Sequence, residues 1–160
     1  MTDVDTLAWE ISRANMIAVD PGQLNVGVSA WLEGSDGWQE TACGIMTPDE
    51  FADAVAEGYG DEMGWGATKY VVVEDFRLDH SRNSGGSRMI ASEVIGMARV
   101  RAKMMYGCEF VRQAPEAYKV AALHAGVELP KGHCPDDLSA HLHGFYFLES
   151  RGFIKPMPPA

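Results

Sequence analysis

Cysteine is scarce in this 160-residue chain, and so are bases in its first half. The three cysteines, Cys43, Cys108 and Cys134, form no C-x-x-C pair and cannot all pair internally. A disulfide scaffold is excluded, and a reducing compartment is the simplest reading. No apolar run approaches the roughly 20 residues of a membrane span. Met1 to Asp5 has neither a basic segment nor an apolar signal core, so the expected location is the cytoplasm, with no membrane partner. An apolar fraction of 46% and a charged fraction of 22% exclude disorder and collagen-like repeats. One domain over residues 1–160 is expected, with 1–13 as an N-terminal extension and 151–160 as a frayed, proline-rich tail.

The net charge of −10 argues at first against a nucleic-acid partner. Residues 1–80 hold 16 acids and three bases, whereas residues 81–160 hold ten bases and seven acids. Arg77, Arg82, Arg88, Arg99, Arg101, Lys103, Arg112 and Lys119 crowd one stretch. A local basic face on an acidic chain is therefore open, while tight non-specific DNA binding is disfavoured.

Strands are predicted over Asn15–Asp20, Asn25–Trp31 and Trp38–Met46, joined by Pro21-Gly22 and the turn-forming Glu33 to Gly37. Such short connections imply an antiparallel meander. Thr47-Pro48-Asp49-Glu50 reads as a capping box opening a helix that ends near Gly58. Tyr70 to Glu74 has the continuous β-branched pattern of a strand covered on both faces. A polar loop from Leu78 to Gly86 precedes the longest helix, about Ser87 to Tyr106. A strand at Cys108–Arg112, a helix at Pro115–Ala125 and a last helix from about Pro135 follow. The class is α/β, a mixed five-stranded sheet with helices on both faces.

In the long helix, Arg88, Arg99 and Lys103 fall on one face, and Ile90, Val94, Met97 and Met104 on the opposite one. Arg101 lies on the apolar side, where it must snorkel, pair with an acid or enter a dimer interface.

Asp20 ends the first strand and Glu74 the most buried one, and Asp136 and Asp137 open the last helix shortly after His133. Each has a plain structural reading. Asp-Pro-Gly is a turn former, and acids in a first helical turn suit the helix dipole. Neighbouring first and fourth strands would bring Asp20 and Glu74 to one sheet edge, with the last helix packed against it. Carboxylates converging there repel unless a cation neutralises them. Oxygen ligands select Mg²⁺, or Mn²⁺ in its place, and two such ions about 4 Å apart suit phosphodiester hydrolysis. A zinc site from His133, Cys134, His141 and His143 has the wrong spacing. His141 and His143 are expected on or beside the last helix as surface or packing residues.

The ordered set is specific. Asp20-Pro21-Gly22-x-x-Asn25-x-Gly27 after a hydrophobic strand, Glu74 after Val71-Val72-Val73, and His133-x-x-Asp136 before a helix resemble the RuvC family of Holliday junction resolvases, within the RNase H-like superfamily. The likeness extends through Asn83–Ala98, with Gly96-x-Ala98-Arg99, and through Val111–Val120, spanning roughly residues 14–150. The compact length and the His-x-x-Asp ending resemble phage-encoded members, for which the location is the host cytoplasm.

The resemblance implies a homodimeric, Mg²⁺-dependent endonuclease that nicks four-way DNA junctions symmetrically, leaving a 5′-phosphate and a 3′-hydroxyl. By position it makes Asp20, Glu74 and Asp136 metal ligands, with Asp137 the alternative under a one-residue shift. It makes His133 a ligand-proximal or water-orienting group, though some members carry an acid there. Lys119 would approach the backbone near the scissile phosphate, and dimerisation would partly use the long helix. Arg77, Arg82, Arg88, Arg99 and Lys103 are the other candidate DNA contacts, because glycines and bases beside a catalytic strand can follow a phosphate backbone. Competing readings are a nuclease for flaps, forks or RNA, and a non-catalytic junction-binding module. An actin-like ATPase, suggested by Asp20-x-Gly22 and Gly27, would need two such domains and fails on length.

Overall fold

A computed structural model describes residues 2–22, 24–57, 68–75 and 85–156, with backbone only at 57 and 85–89. The order is α1 (Val4–Arg13), β1 (Met16–Pro21), β2 (Val26–Gly34), β3 (Gly37–Met46), α2 (Pro48–Glu57), β4 (Tyr70–Glu74), α3 (Gly85–Met104), β5 (Glu109–Gln113), α4 (Ala117–Ala125) and α5 (Asp136–Ser150). Every element expected from the sequence is present, and one more precedes them.

The sheet runs β3-β2-β1-β4-β5. β1, β2 and β3 form the antiparallel meander, while β4 lies parallel to β1 and β5 parallel to β4. The period-2 alternation of strand side chains builds two cores. Ile17, Val19, Val71 and Val73 face α1, α2 and α3. Met16, Ala18 and Val72 face α5, against Phe147 and Leu148. Helices thus cover both faces of a mixed five-stranded sheet.

The additional element is α1. Asp3 caps it, its carboxylate accepting from Thr6 N–H at 2.9 Å. Leu7 and Ile11 are fully buried, with Val4 and Ala8 packed beside them. Residues 4–13 are therefore part of the main core. The apolar positions 4, 7, 8 and 11 carry the i, i+3, i+4, i+7 helical signal.

The capping box of α2 forms as expected: Thr47 N–H donates to Glu50 Oε2 at 2.7 Å, and Glu50 N–H to Thr47 Oγ1 at 3.2 Å. Among the described side chains of α3, Ala91, Val94, Ala98, Arg101 and Ala102 are buried. The small alanines let α3 approach the sheet closely. This corrects the expected apolar face, because Met104 is 51% exposed and sits at the rim of the stripe. Arg101 resolves its position by donating from Nη1 to the Val55 carbonyl of α2, at 2.9 Å.

At the C-terminal end, Phe153 packs at a tilt against Trp38 and Tyr70, and Ile154 joins the α5 core. The tail up to Ile154 thus packs on the body rather than fraying, and 157–160 lie outside the described residues. No helix among the described residues is long and apolar enough to cross a membrane.

Candidate functional site

Strand pairing sets the site. Val19 of β1 lies opposite Val73 of β4, so the next residues, Asp20 and Glu74, stand side by side at the C-terminal edge of the parallel strands. Asp136 is the first residue of α5, and the start of that helix sits over the same edge. Two glycines permit the approach. A Cβ on Gly27 would lie 1.9 Å from the Asp136 carbonyl oxygen, and one on Gly22 would lie 2.5 Å from Asp136 Oδ2. Neither position has room for a side chain.

The three carboxylates wall a cavity of about 300 Å³, completed by Pro21, Gly22, Tyr118, Gly132, His133, Cys134 and Ser139. Burial, then the charges of Glu74 and Asp136, push the Asp20 carboxyl from its ordinary 3.8 up to about 8. Hydrogen bonding from Ser139 partly opposes this, while a shared hydrogen bond with Glu74 adds to it. Burial also raises Asp136, and the neighbouring His133 partly offsets the rise. The Cys134 thiol is pushed up to about 11 by burial and by the surrounding acids, so it remains a thiol at neutral pH.

Like charges held this close raise one another's pKa. Among the described residues no lysine or arginine lines the cavity. The donor chemistry suits a hard, oxygen-preferring ion. Among the described residues, however, no group of three or more His, Cys, Asp or Glu side chains is drawn in to hold a metal ion.

The other candidates distribute unevenly. His133 lines the cavity mouth, its side chain 87% exposed and its Nε2 3.3 Å from Asp136 Oδ1. Asp137 is not on the cavity wall. Its Oδ1 accepts from Leu138 N–H at 2.9 Å, at the start of its own helix, and its carbonyl from the Cys43 thiol at 3.2 Å. Lys119 is exposed on α4, its Nζ 5.8 Å from the ring of Tyr118, which does line the cavity.

Arg99 lies over Phe110, the second residue of β5, with Lys103 one turn further along α3. Both therefore sit toward the end of the sheet opposite Asp20 and Glu74. Arg77 and Arg82 lie outside the described residues, as does the Arg88 side chain. Arg112 pairs with Asp75.

Residues not expected at the site come from the inner face of α5 and from β5. Ser139 donates its hydroxyl to Glu74 Oε2 at 3.3 Å. His143, expected as a surface or packing residue, is fully buried with Nε2 3.2 Å from the same oxygen. Its Nδ1 lies 2.7 Å from the side-chain oxygen of Gln113, the residue paired with Glu74 across β4 and β5. Positions 136, 139 and 143 share one helical face, a spacing already present in the sequence. His141, one face away, stacks on Trp31 and bonds to Glu40.

No family model matches the chain, and no curated protein matches its sequence. Solved structures do. Thermus thermophilus RuvC bound to a Holliday junction substrate superposes with a TM-score of 0.58 at 13% identity, covering 89% of this chain and 98% of that one. A second Thermus thermophilus RuvC structure gives 0.56 at 15%, covering 89% and 99%. The yeast mitochondrial Holliday junction resolvase Ydc2 gives 0.57 at 10%, covering 95% and 87%. At such identities the likeness is one of architecture: the chain has the RNase H-like fold of these resolvases.

Proposed function

We propose that this protein is a metal-dependent endonuclease that resolves four-way DNA junctions by paired symmetric nicks. The observation that carries the reading is the ring of Asp20, Glu74 and Asp136 around one cavity, on a fold shared with proteins solved as Holliday junction resolvases. A structural role alone leaves the cost of that ring unexplained, since burying like-charged carboxylates together is unfavourable.

In this reading Asp20, Glu74 and Asp136 hold Mg²⁺, or Mn²⁺ in its place, and Asp137 stands outside the ligand set. Two ions bound there would supply an activated water and charge neutralisation at the phosphate. The exposed His133 orients water or phosphate at the mouth. Lys119 holds the backbone beside the cavity. Arg99 and Lys103 serve the junction arms away from the cut, together with the bases Arg77, Arg82 and Arg88. Nicking both strands symmetrically requires two sites, hence a homodimer. A groove of about 870 Å³ between α2 and α3, walled by Ala52, Val55, Met97, Val100 and Met104, supports its formation along α3. The compact chain suits a phage-encoded resolvase acting in the host cytoplasm.

The test is cleavage of an end-labelled synthetic four-way junction, with and without Mg²⁺, beside linear duplex, flap and fork substrates. Paired nicks in the junction alone are expected. Cutting of flaps or forks only would keep the nuclease and replace its substrate. Junction binding without cleavage in Mg²⁺ or Mn²⁺ would leave a binding module.

A further inference from the structure

Glu74 reaches the cavity from a strand end, and α5 holds one of its two carboxylate oxygens. Two donors from α5 converge on Oε2: the Ser139 hydroxyl at 3.3 Å and His143 Nε2 at 3.2 Å. A carboxylate oxygen offers two lone pairs, so two donors saturate it. The His143 ring is itself fixed. It is fully buried; with the ring proton on Nε2, its Nδ1 accepts from the Gln113 side-chain amide group 2.7 Å away, and Tyr118 packs edge-on with centroids 6.3 Å apart. Burying a polar ring costs free energy unless its polar atoms are bonded. A leucine would fill such a core position more cheaply, so the two hydrogen bonds are what histidine adds.

We infer that His143 is a positioning residue for the acidic cavity: with Ser139 it fastens Glu74 Oε2, leaving Oε1 as the oxygen presented to a divalent cation. This rests on the metal-site reading above and deepens it. The same helix that brings Asp136 to the cavity thereby also sets the orientation of the carboxylate on β4. Fixing a ligand by an outer hydrogen bond typically contributes about 10- to 100-fold to metal affinity.

The experiment is titration of Mn²⁺ into the full-length protein, followed by electron paramagnetic resonance, for wild type, His143→Leu, His143→Asn and His143→Gln, with near-ultraviolet circular dichroism as the folding check. Asparagine can keep the Gln113 contact but is too short for Glu74, whereas glutamine can place an amide donor near the Nε2 position. Leu and Asn should weaken Mn²⁺ binding by about 10- to 100-fold, with Gln recovering most of the loss. If the Leu variant does not fold, the Asn and Gln pair carries the comparison. Folded Asn and Gln variants with the affinity of wild type, or Gln as weak as Asn, would overturn the positioning role. A wild type showing no Mn²⁺ binding that Asp20→Asn removes would overturn the metal site, and the inference with it.

Discussion

Gly27 on β2 and Asp136 on α5 meet backbone to backbone: a Cβ on the glycine would sit 1.9 Å from the Asp136 carbonyl oxygen and 2.2 Å from its carbonyl carbon. The obstacle is main chain, which cannot rotate aside. Gly27→Ala should therefore push the start of α5 off the sheet edge, costing about 1–3 kcal/mol in stability and most of the cleavage rate. At Gly22 a Cβ would meet both the Asp136 side chain, 2.5 Å from Oδ2, and the Asn25 carbonyl oxygen at 2.6 Å, so main chain is again in the way. Gly22→Ala should therefore also lower the melting temperature, and it should depress cleavage by turning the Asp136 carboxylate aside. Thermal melts beside junction cleavage of both variants check these outcomes.

Charge removal should separate chemistry from binding. Asp20→Asn, Glu74→Gln and Asp136→Asn should each abolish cleavage while keeping junction binding, because each removes a metal ligand without removing a phosphate contact. Asp137→Asn, whose side chain turns to its own helix start, should keep substantial cleavage. Loss of binding in step with loss of cleavage would make the three carboxylates structural.

The metal-free protein should lose stability as pH rises. Asp20 titrates at about 8 when folded against an ordinary 3.8, so between those values the folded state holds a proton that the unfolded state has lost. Stability therefore falls with increasing pH across that window. The raised Asp136 carboxyl adds in the same direction. Asp20→Asn should flatten the slope, and Mg²⁺ should raise the melting temperature more at pH 8 than at pH 5. Melts on a pH series, with and without the ion, check all three statements.

Lys119→Ala should slow cleavage and lower the salt dependence of junction binding by about one phosphate contact, a slope change near 0.9. A slope equal to that of wild type would remove Lys119 from the backbone contacts.

Val100 is 52% exposed at the α2–α3 groove. Val100→Glu should yield a monomer by light scattering and convert paired nicks into single ones. A wild-type monomer at working concentration would contradict the proposed assembly.

The sheet and most helices were readable because their signals are local: an alternating or continuous apolar run, a capping box, a glycine stop. Asp20, Glu74 and Asp136 were readable because each ends or begins such an element. The parallel pairing of β1 with β4 joins residues far apart in sequence, and no local signal specifies it. Helix α1 stands where an N-terminal extension is expected, although Val4, Leu7, Ala8 and Ile11 carry its period. His143 is a different case. A histidine on an apolar helix face is ordinary, and only the register that sets Gln113 opposite Glu74 turns its ring toward the acids. Arg99 and Lys103 are exposed on α3, as the helical period predicts, yet the direction of the helix carries them away from the site.

The central claim is that Asp20, Glu74 and Asp136 bind the divalent ion on which cleavage depends. Anomalous diffraction from crystals soaked in Mn²⁺, wild type beside Asp20→Asn, tests it most directly. The account predicts manganese peaks in the cavity between these carboxylates, lost or much weakened in the variant. Peaks only elsewhere on the surface, or an undiminished peak in Asp20→Asn, would contradict it.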